Sequence, residues 1–270
     1  MTALRRGPAG IDVRIRGDGS PVLLLHGIGG SSESFAAQLT GLASAHRVIA
    51  WDAPGYRGSP NLPEPVALAD YADAAFEVLD GLGARPAHVL GVSWGGVIAT
   101  SLALRRPEAV RSLVLADSSR GSGRTEASRT AMAQRVASLA ELGPRAFARL
   151  RGPALVAPGA DPAVTEQVVA GMSRLRHEGY AAAATSMAST DHGADLRRIA
   201  VPTLVVVGEH DTITGVAESE ELARGIPGSG LTTIADAGHA ANQERPEEFN
   251  AAVLRFLAEV DATTQTGTCQ

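Results

Sequence analysis

Apolar residues come in short, uniform runs along this chain: Val22-Leu23-Leu24-Leu25, Val48-Ile49-Ala50-Trp51, Val89-Leu90, Leu113-Val114-Leu115, Leu204-Val205-Val206-Val207 and Leu231-Thr232-Thr233-Ile234. Runs of this length without polar alternation predict strands covered on both faces, as in a parallel sheet. Ile11-Asp12-Val13-Arg14-Ile15 alternates instead, which predicts an antiparallel edge strand. Helical periodicity fills the gaps. Leu68 to Leu82 places Ala72, Ala75, Phe76 and Leu79 on one face, Val97 to Leu104 stops before Pro107, and Glu247 to Val260 turns Phe249, Val253, Phe256 and Leu257 inward. Strands alternating with helices predict an α/β fold.

One stretch breaks the alternation. Residues 120–198 hold no convincing strand. Thr125 to Leu142 reads as a helix with Met132, Val136 and Leu139 on one side, stopped by Gly143-Pro144. Asp161-Pro162 reads as an N-cap with proline at the first helical position, opening a helix to about His177. A third helix covers Tyr180 to Ser189. The expected division is a sheet-and-helix core of residues 1–119 and 199–260, a helical insertion of 120–198, and a disordered polar tail, 261–270.

Composition narrows the class. With 270 residues, 44% hydrophobic and 20% charged, the chain has the material for a full globular core. A net charge of -5 argues against a nucleic-acid partner. The densest arginine group, between Arg120 and Arg151, reads as a solvated helix face or a basic lid. Cys269 is the only cysteine, so no intramolecular disulfide forms. The start, Met1 to Pro8, has no apolar core of a signal peptide, and no segment approaches a membrane span. The expectation is a cytoplasmic protein with no membrane partner.

The candidate chemistry sits at Gly91-Val92-Ser93-Trp94-Gly95-Gly96, between an apolar strand and a small-residue helix. A serine at such an apex is presented openly, and glycines two residues either side remove the Cβ atoms that would clash. A serine nucleophile needs a base, and the base needs an orienting carboxylate. Ala237-Gly238-His239 follows the last strand and supplies a histidine. Asp211 follows the strand ending at Val207, where α/β sheets place their sites. Asp117 also ends a strand and is the alternative acid. His26-Gly27-Ile28-Gly29-Gly30 follows the strand Val22–Leu25, so the backbone N–H groups of Ile28 and Trp94 are candidate oxyanion donors. His26, Gly27, Gly29, Arg124 and Met132 are candidate pocket residues. His46 and His88 read as element-end residues, while His177 and His192 fall in the insertion. No phosphate loop and no dinucleotide fingerprint is present. Asp191-His192 and His210-Asp211 lack a third ligand at recognisable spacing, so neither a metal nor a cofactor is expected.

Taken together, His26-Gly27, Asp52-Ala53-Pro54-Gly55, the elbow at Ser93, Asp211 and Gly238-His239 resemble the α/β-hydrolase superfamily, from about Ile11 to Val260. The resemblance implies an eight-stranded, mostly parallel sheet flanked by helices, a helical cap after the sixth strand, and a Ser93–His239–Asp211 triad. One departure is Arg57, where many members carry glycine in a loop that borders the pocket, which implies an altered pocket shape. The strings Gly27 to Phe35 and Ala240 to Pro246 are similar to the 3-oxoadipate enol-lactonase and meta-cleavage-product hydrolase branch, from which Trp94 departs in place of methionine. The elbow also resembles that of intracellular polyester depolymerases.

The resemblance implies a cofactor-free serine hydrolase of a small-molecule ester or lactone, acting as monomer or homodimer. Cleavage of a C–C bond in a 1,3-diketone or vinylogous keto acid is the nearest alternative. A dehydratase, a cyclase or a ligand receptor on the same fold are the others. The cap arginines Arg124, Arg129 and Arg135 are candidates to meet a substrate carboxylate.

Overall fold

The computed structural model describes residues 4–266, with side chains through residue 263. Residues 1–3 and 267–270, Cys269 among them, lie outside the described residues. Eight strands form one sheet: β1 Leu4–Arg6, β2 Asp12–Arg16, β3 Ser20–Leu25, β4 His46–Trp51, β5 Ala87–Val92, β6 Val110–Ala116, β7 Thr203–Gly208 and β8 Gly230–Ile234. Their spatial order is β1-β2-β4-β3-β5-β6-β7-β8. The β1–β2 and β2–β4 pairs are antiparallel and the rest parallel.

The uniform apolar runs have a direct reason. Leu23 and Leu25 of β3, Ile49 and Trp51 of β4, and Leu113 and Leu115 of β6 enter one buried cluster. Their neighbours Val22, Leu24, Val48, Ala50, Val114 and Ala116 enter a second cluster on the opposite face. Helices α2 (Leu68–Gly81) and α3 (Trp94–Arg105) cover the first face, and α1 (Ala36–Gly41) and α9 (Pro246–Thr266) the second. Both faces are therefore dry, as a parallel sheet requires.

Between β6 and β7 the described backbone is helical only: α4 (Glu126–Arg151), α5 (Pro162–Met172) and α6 (His177–Ala188), with short 3-10 turns. Gly143 does break the first of these, at φ 69°, but Pro144 restarts it, so α4 continues to Arg151. Helix α5 ends at Met172 rather than near His177. The turn that follows sends Arg174 to Glu33 (2.6 Å) and Arg176 to the Ser59 carbonyl (2.9 Å), contacts a continuing helix would lose. α7 (Val216–Gly225) and α8 (Ala241–Glu244) complete the helices.

Of the expected disordered tail, residues 261–266 are helical instead, and 267–270 lie outside the described residues. α9 runs past Val260 to Thr266, and Asp261 accepts hydrogen bonds from Ser20 (2.6 Å) and Arg111 (2.7 Å). Among the described residues no helix is long and apolar enough to cross a membrane.

The strand order reverses around β3, whose neighbours are β4 on one side and β5 on the other. The loops leaving β3 and β5 therefore diverge and open a crevice at their C-terminal ends. Ser93 follows β5 at that point.

Candidate active site

Ser93 is the single residue between β5 and α3, held at φ 55° and ψ −119°. This left-handed, strained backbone is what turns a strand into a helix in one step. A Cβ on Gly91 would strike the Gly95 carbonyl, and a Cβ on Gly95 would strike the Leu25 carbonyl. Strand, elbow and helix touch backbone to backbone there, so both positions require glycine. The Ser93 N–H donates to Ala116 O (2.9 Å) and its carbonyl accepts from Ser118 Oγ (2.9 Å).

His239, in the loop after β8, lies with Nε2 2.9 Å from Ser93 Oγ and Nδ1 3.0 Å from Asp211 Oδ2. Asp211 also accepts from Thr214 Oγ1 (2.6 Å) and from the Ile213 and Thr214 N–H groups (2.7 and 3.2 Å). Burial pushes the Asp211 carboxyl up, but the hydrogen bonds from His239, Thr214 and Ile213 outweigh it and bring it down to about 2. An ionised carboxylate only accepts, so Nδ1 carries the imidazole proton and Nε2 offers its lone pair to the Ser93 hydroxyl.

Asp117 is placed differently. It is fully buried, with Oδ1 accepting the Gly208 N–H (2.8 Å) and Oδ2 without a hydrogen-bond partner among the described residues. Burial, with Asp211 nearby, drives its carboxyl well above the usual range. Of the two acids, the histidine meets Asp211.

The loop after β3 brings the Ile28 backbone beside Ser93, while the Trp94 N–H opens α3. Neither N–H is engaged by another hydrogen bond among the described residues. Two residues fix this loop. His26 donates from Nδ1 to Gly27 O (2.8 Å) and accepts the Ala53 N–H at Nε2 (3.0 Å), and burial holds its pKa down to about 4. It is a neutral strut between the β3 and β4 loops. Tyr56 donates its hydroxyl to the Ile28 carbonyl (2.9 Å), orienting the peptide next to the donor. Sequence reasoning singled out the loop holding Tyr56 but not the tyrosine itself. A buried aromatic with a polar tip is the signal it carries.

Ser93 opens onto a cavity of about 130 Å³ lined by His26, Gly27, Ile28, Gly29, His239 and residues of α4, α5 and α6. A second cavity, of about 350 Å³, also reaches Ser93, with Trp94, and is lined by Arg124, Met132 and several serines and threonines. The expected pocket residues thus divide. His26, Gly27 and Gly29 line the first cavity, and a Cβ on Gly29 would meet Met172 Cε. Arg124 and Met132 border the second, but Arg124 is half spent on Glu218 (3.2 Å). Arg129 donates to the Gly123 carbonyl and lines neither. Arg57 also lines neither. Its guanidinium turns to Ser31 and Glu33, 3.0 Å from each. Trp94 is fully buried, edge-on to Tyr71 at 4.7 Å, with Nε1 donating to Ser186 of α6 (3.2 Å).

Two groups bring possible cation ligands within 4.8 Å of one another, His46–His88–Asp261 and Glu209–His210–Asp236. In the first, Asp261 is already committed to Ser20, His88 and Arg111. The second is exposed.

Known proteins share this arrangement of elements. The chain is 32% identical to a protein of Azorhizobium caulinodans named as a candidate carbamate hydrolase, RutD, across 94% of this chain and 97% of that one. It is 26% identical to 3-oxoadipate enol-lactonase 2 of Acinetobacter baylyi, across 87% and 88%. The solved structure of a thermophilic esterase from Thermogutta terrifontis superposes with a TM-score of 0.86 at 29% identity, covering 96% and 99%. The family model described as the alpha/beta hydrolase family matches residues 22–252, and the chain belongs to that family.

Proposed function

We propose that this chain is a cofactor-independent serine hydrolase acting on a small ester, lactone or carbamate. One observation carries the reading: an unbroken hydrogen-bonded chain from Ser93 Oγ through His239 to Asp211, opening into an internal cavity. Ester and lactone hydrolysis suit the enol-lactonase and esterase relatives, and carbamate hydrolysis suits the relative named for it.

In this reading the Ser93 hydroxyl attacks the substrate carbonyl while His239 Nε2 takes its proton. Asp211 holds the imidazole in one tautomer and stabilises the imidazolium that forms. The carbonyl oxygen becomes an oxyanion between the Ile28 and Trp94 N–H groups, with the α3 N-terminus adding favourable potential. Collapse expels the leaving group, protonated from His239. Water, deprotonated by the same imidazole, then releases the acid from Ser93. The helical segment 120–198 acts as the cap that closes the cavity and sets its selectivity.

Hydrolysis of short nitrophenyl esters, lactones and carbamates by wild type and Ser93→Ala tests the reading. Removing the nucleophile is expected to cost about 10⁴- to 10⁶-fold in turnover. Residual activity within tenfold of wild type in a folded variant would overturn it.

A further inference from the structure

The wall of the smaller cavity carries more positive charge than its neighbours neutralise. Arg135, midway along α4, and Arg151, at its end, line the same cavity as Ser93, together with Glu33 and Arg174. Glu33 is already shared among Arg14 (3.3 Å), Arg57 (3.0 Å) and Arg174 (2.6 Å). Among the described residues, neither Arg135 nor Arg151 has an ion-pair partner. The side-chain contact of Arg135 is Nη1 to Met132 Sδ (3.6 Å), and a thioether is a weak acceptor. Tyr180 lines the wall beside them, packed edge-on to Phe147 at 5.5 Å, and its hydroxyl has no hydrogen-bond partner among the described residues.

A half-buried guanidinium without a partner is costly, and a second one beside it adds repulsion. Burial and the Arg151 charge both pull the Arg135 pKa down. The chain as a whole carries a charge of -5, so this cationic patch runs against the sign of the molecule. An apolar wall that holds two unspent guanidinium forks matches a carboxylate.

The geometry points to an anion subsite formed by Arg135 and Arg151, with the Tyr180 hydroxyl, that takes a free carboxylate on the substrate. This rests on Ser93 being the nucleophile of the same cavity. The substrate class narrows to short esters, lactones or carbamates that carry an acid group. Arg135 borders both cavities and Arg151 only the smaller, which assigns the acid to the smaller one.

Calorimetric titration of the intact protein with glutarate and with its neutral diamide tests this without catalysis. Wild type should bind glutarate at least about tenfold more tightly than the diamide, and Arg135→Gln and Arg151→Gln should each lose about tenfold or more. Arg135→Lys, which keeps the charge, should lose less than Arg135→Gln. Equal binding of glutarate and diamide by wild type, or unchanged glutarate binding in both glutamine variants, would overturn the subsite. A second arm compares hydrolysis of mono-4-nitrophenyl glutarate with that of 4-nitrophenyl pentanoate. The preference for the acid ester should fall about tenfold in each glutamine variant. Hydrolysis of both esters with an unchanged preference sinks the subsite and leaves the hydrolase. Glutarate binding as described, with neither ester hydrolysed, sinks the hydrolase and leaves the subsite.

Discussion

Asp117 and Asp211 end neighbouring strands, and what surrounds each oxygen decides its part. Asp211 has four polar contacts that favour its charge, His239 among them, whereas Asp117 has one backbone hydrogen bond and an oxygen without a partner among the described residues. Both residues were legible in the sequence as strand-end acids. The residues alone leave both open, and it is the resemblance that ranks Asp211 first, because contact with the histidine depends on which loop reaches back across the sheet. Asp211→Asn is expected to cost about 10³- to 10⁴-fold in kcat, since the amide would hold the imidazole in the wrong tautomer. Asp117→Asn should cost far less, and steady-state kinetics on folded variants compare the two. A larger loss for Asp117→Asn would reverse the roles. Stability gives an independent readout. The folded Asp117 carboxyl is raised above its unfolded value of 3.8, so its contribution is present in full below pH 3.8 and drains away as pH rises toward the folded value. Asp117→Asn removes that titration. In urea melts the variant should therefore gain on wild type between pH 4 and pH 7, and an equal difference at both would contradict the protonated state.

Element boundaries show where periodicity speaks and where it is silent. The central strands were legible because each carries a short uninterrupted apolar run. β1 was not: Leu4, Arg5 and Arg6 are all exposed, and a strand that buries nothing leaves no hydrophobic signature. The end of α5 follows from contacts with distant residues, which local propensity does not encode. α9 is the clearest case. Its last turns are polar and read as a tail, yet Asp261 gathers Ser20 of β3, His88 of β5 and Arg111 of β6 beneath the sheet. Burial holds the His88 imidazole down to about 4, so this is a neutral histidine with its Nε2 directed at a carboxylate. Asp261→Ala would strand those donors. The expected loss is about 1–3 kcal/mol in chemical denaturation at neutral pH. A change under 0.3 kcal/mol would mean that the helix end docks without this residue.

At the scale of the whole molecule, the site exists because the sheet reverses direction around β3. That reversal sets the Ile28 loop against the elbow, and the loops after β7 and β8 carry Asp211 and His239 to the same edge. Glu244 ties the arrangement to the helical segment, accepting the Gly238 N–H (2.8 Å) beside His239 and the Ala157 N–H (2.7 Å). The order Ser93, Asp211, His239 was readable along the chain because each follows a strand with an apolar signature. The cavity was not readable. Its wall comes from three helices whose packing depends on contacts such as Trp94 to Ser186; of the two arginines that matter there, Arg135 is singled out in the sequence beside Arg124 and Arg129, which do not line it, whereas Arg151 looks like any exposed helix residue. The central claim is that Ser93 is an activated nucleophile in the folded protein. It is tested most directly by reacting the protein with a fluorophosphonate probe and locating the adduct by mass spectrometry. The account predicts one adduct per chain, on Ser93, with labelling abolished in Ser93→Ala and slowed at least about 10³-fold in His239→Ala. A folded wild-type protein that stays unlabelled, or that labels equally fast without His239, would contradict it.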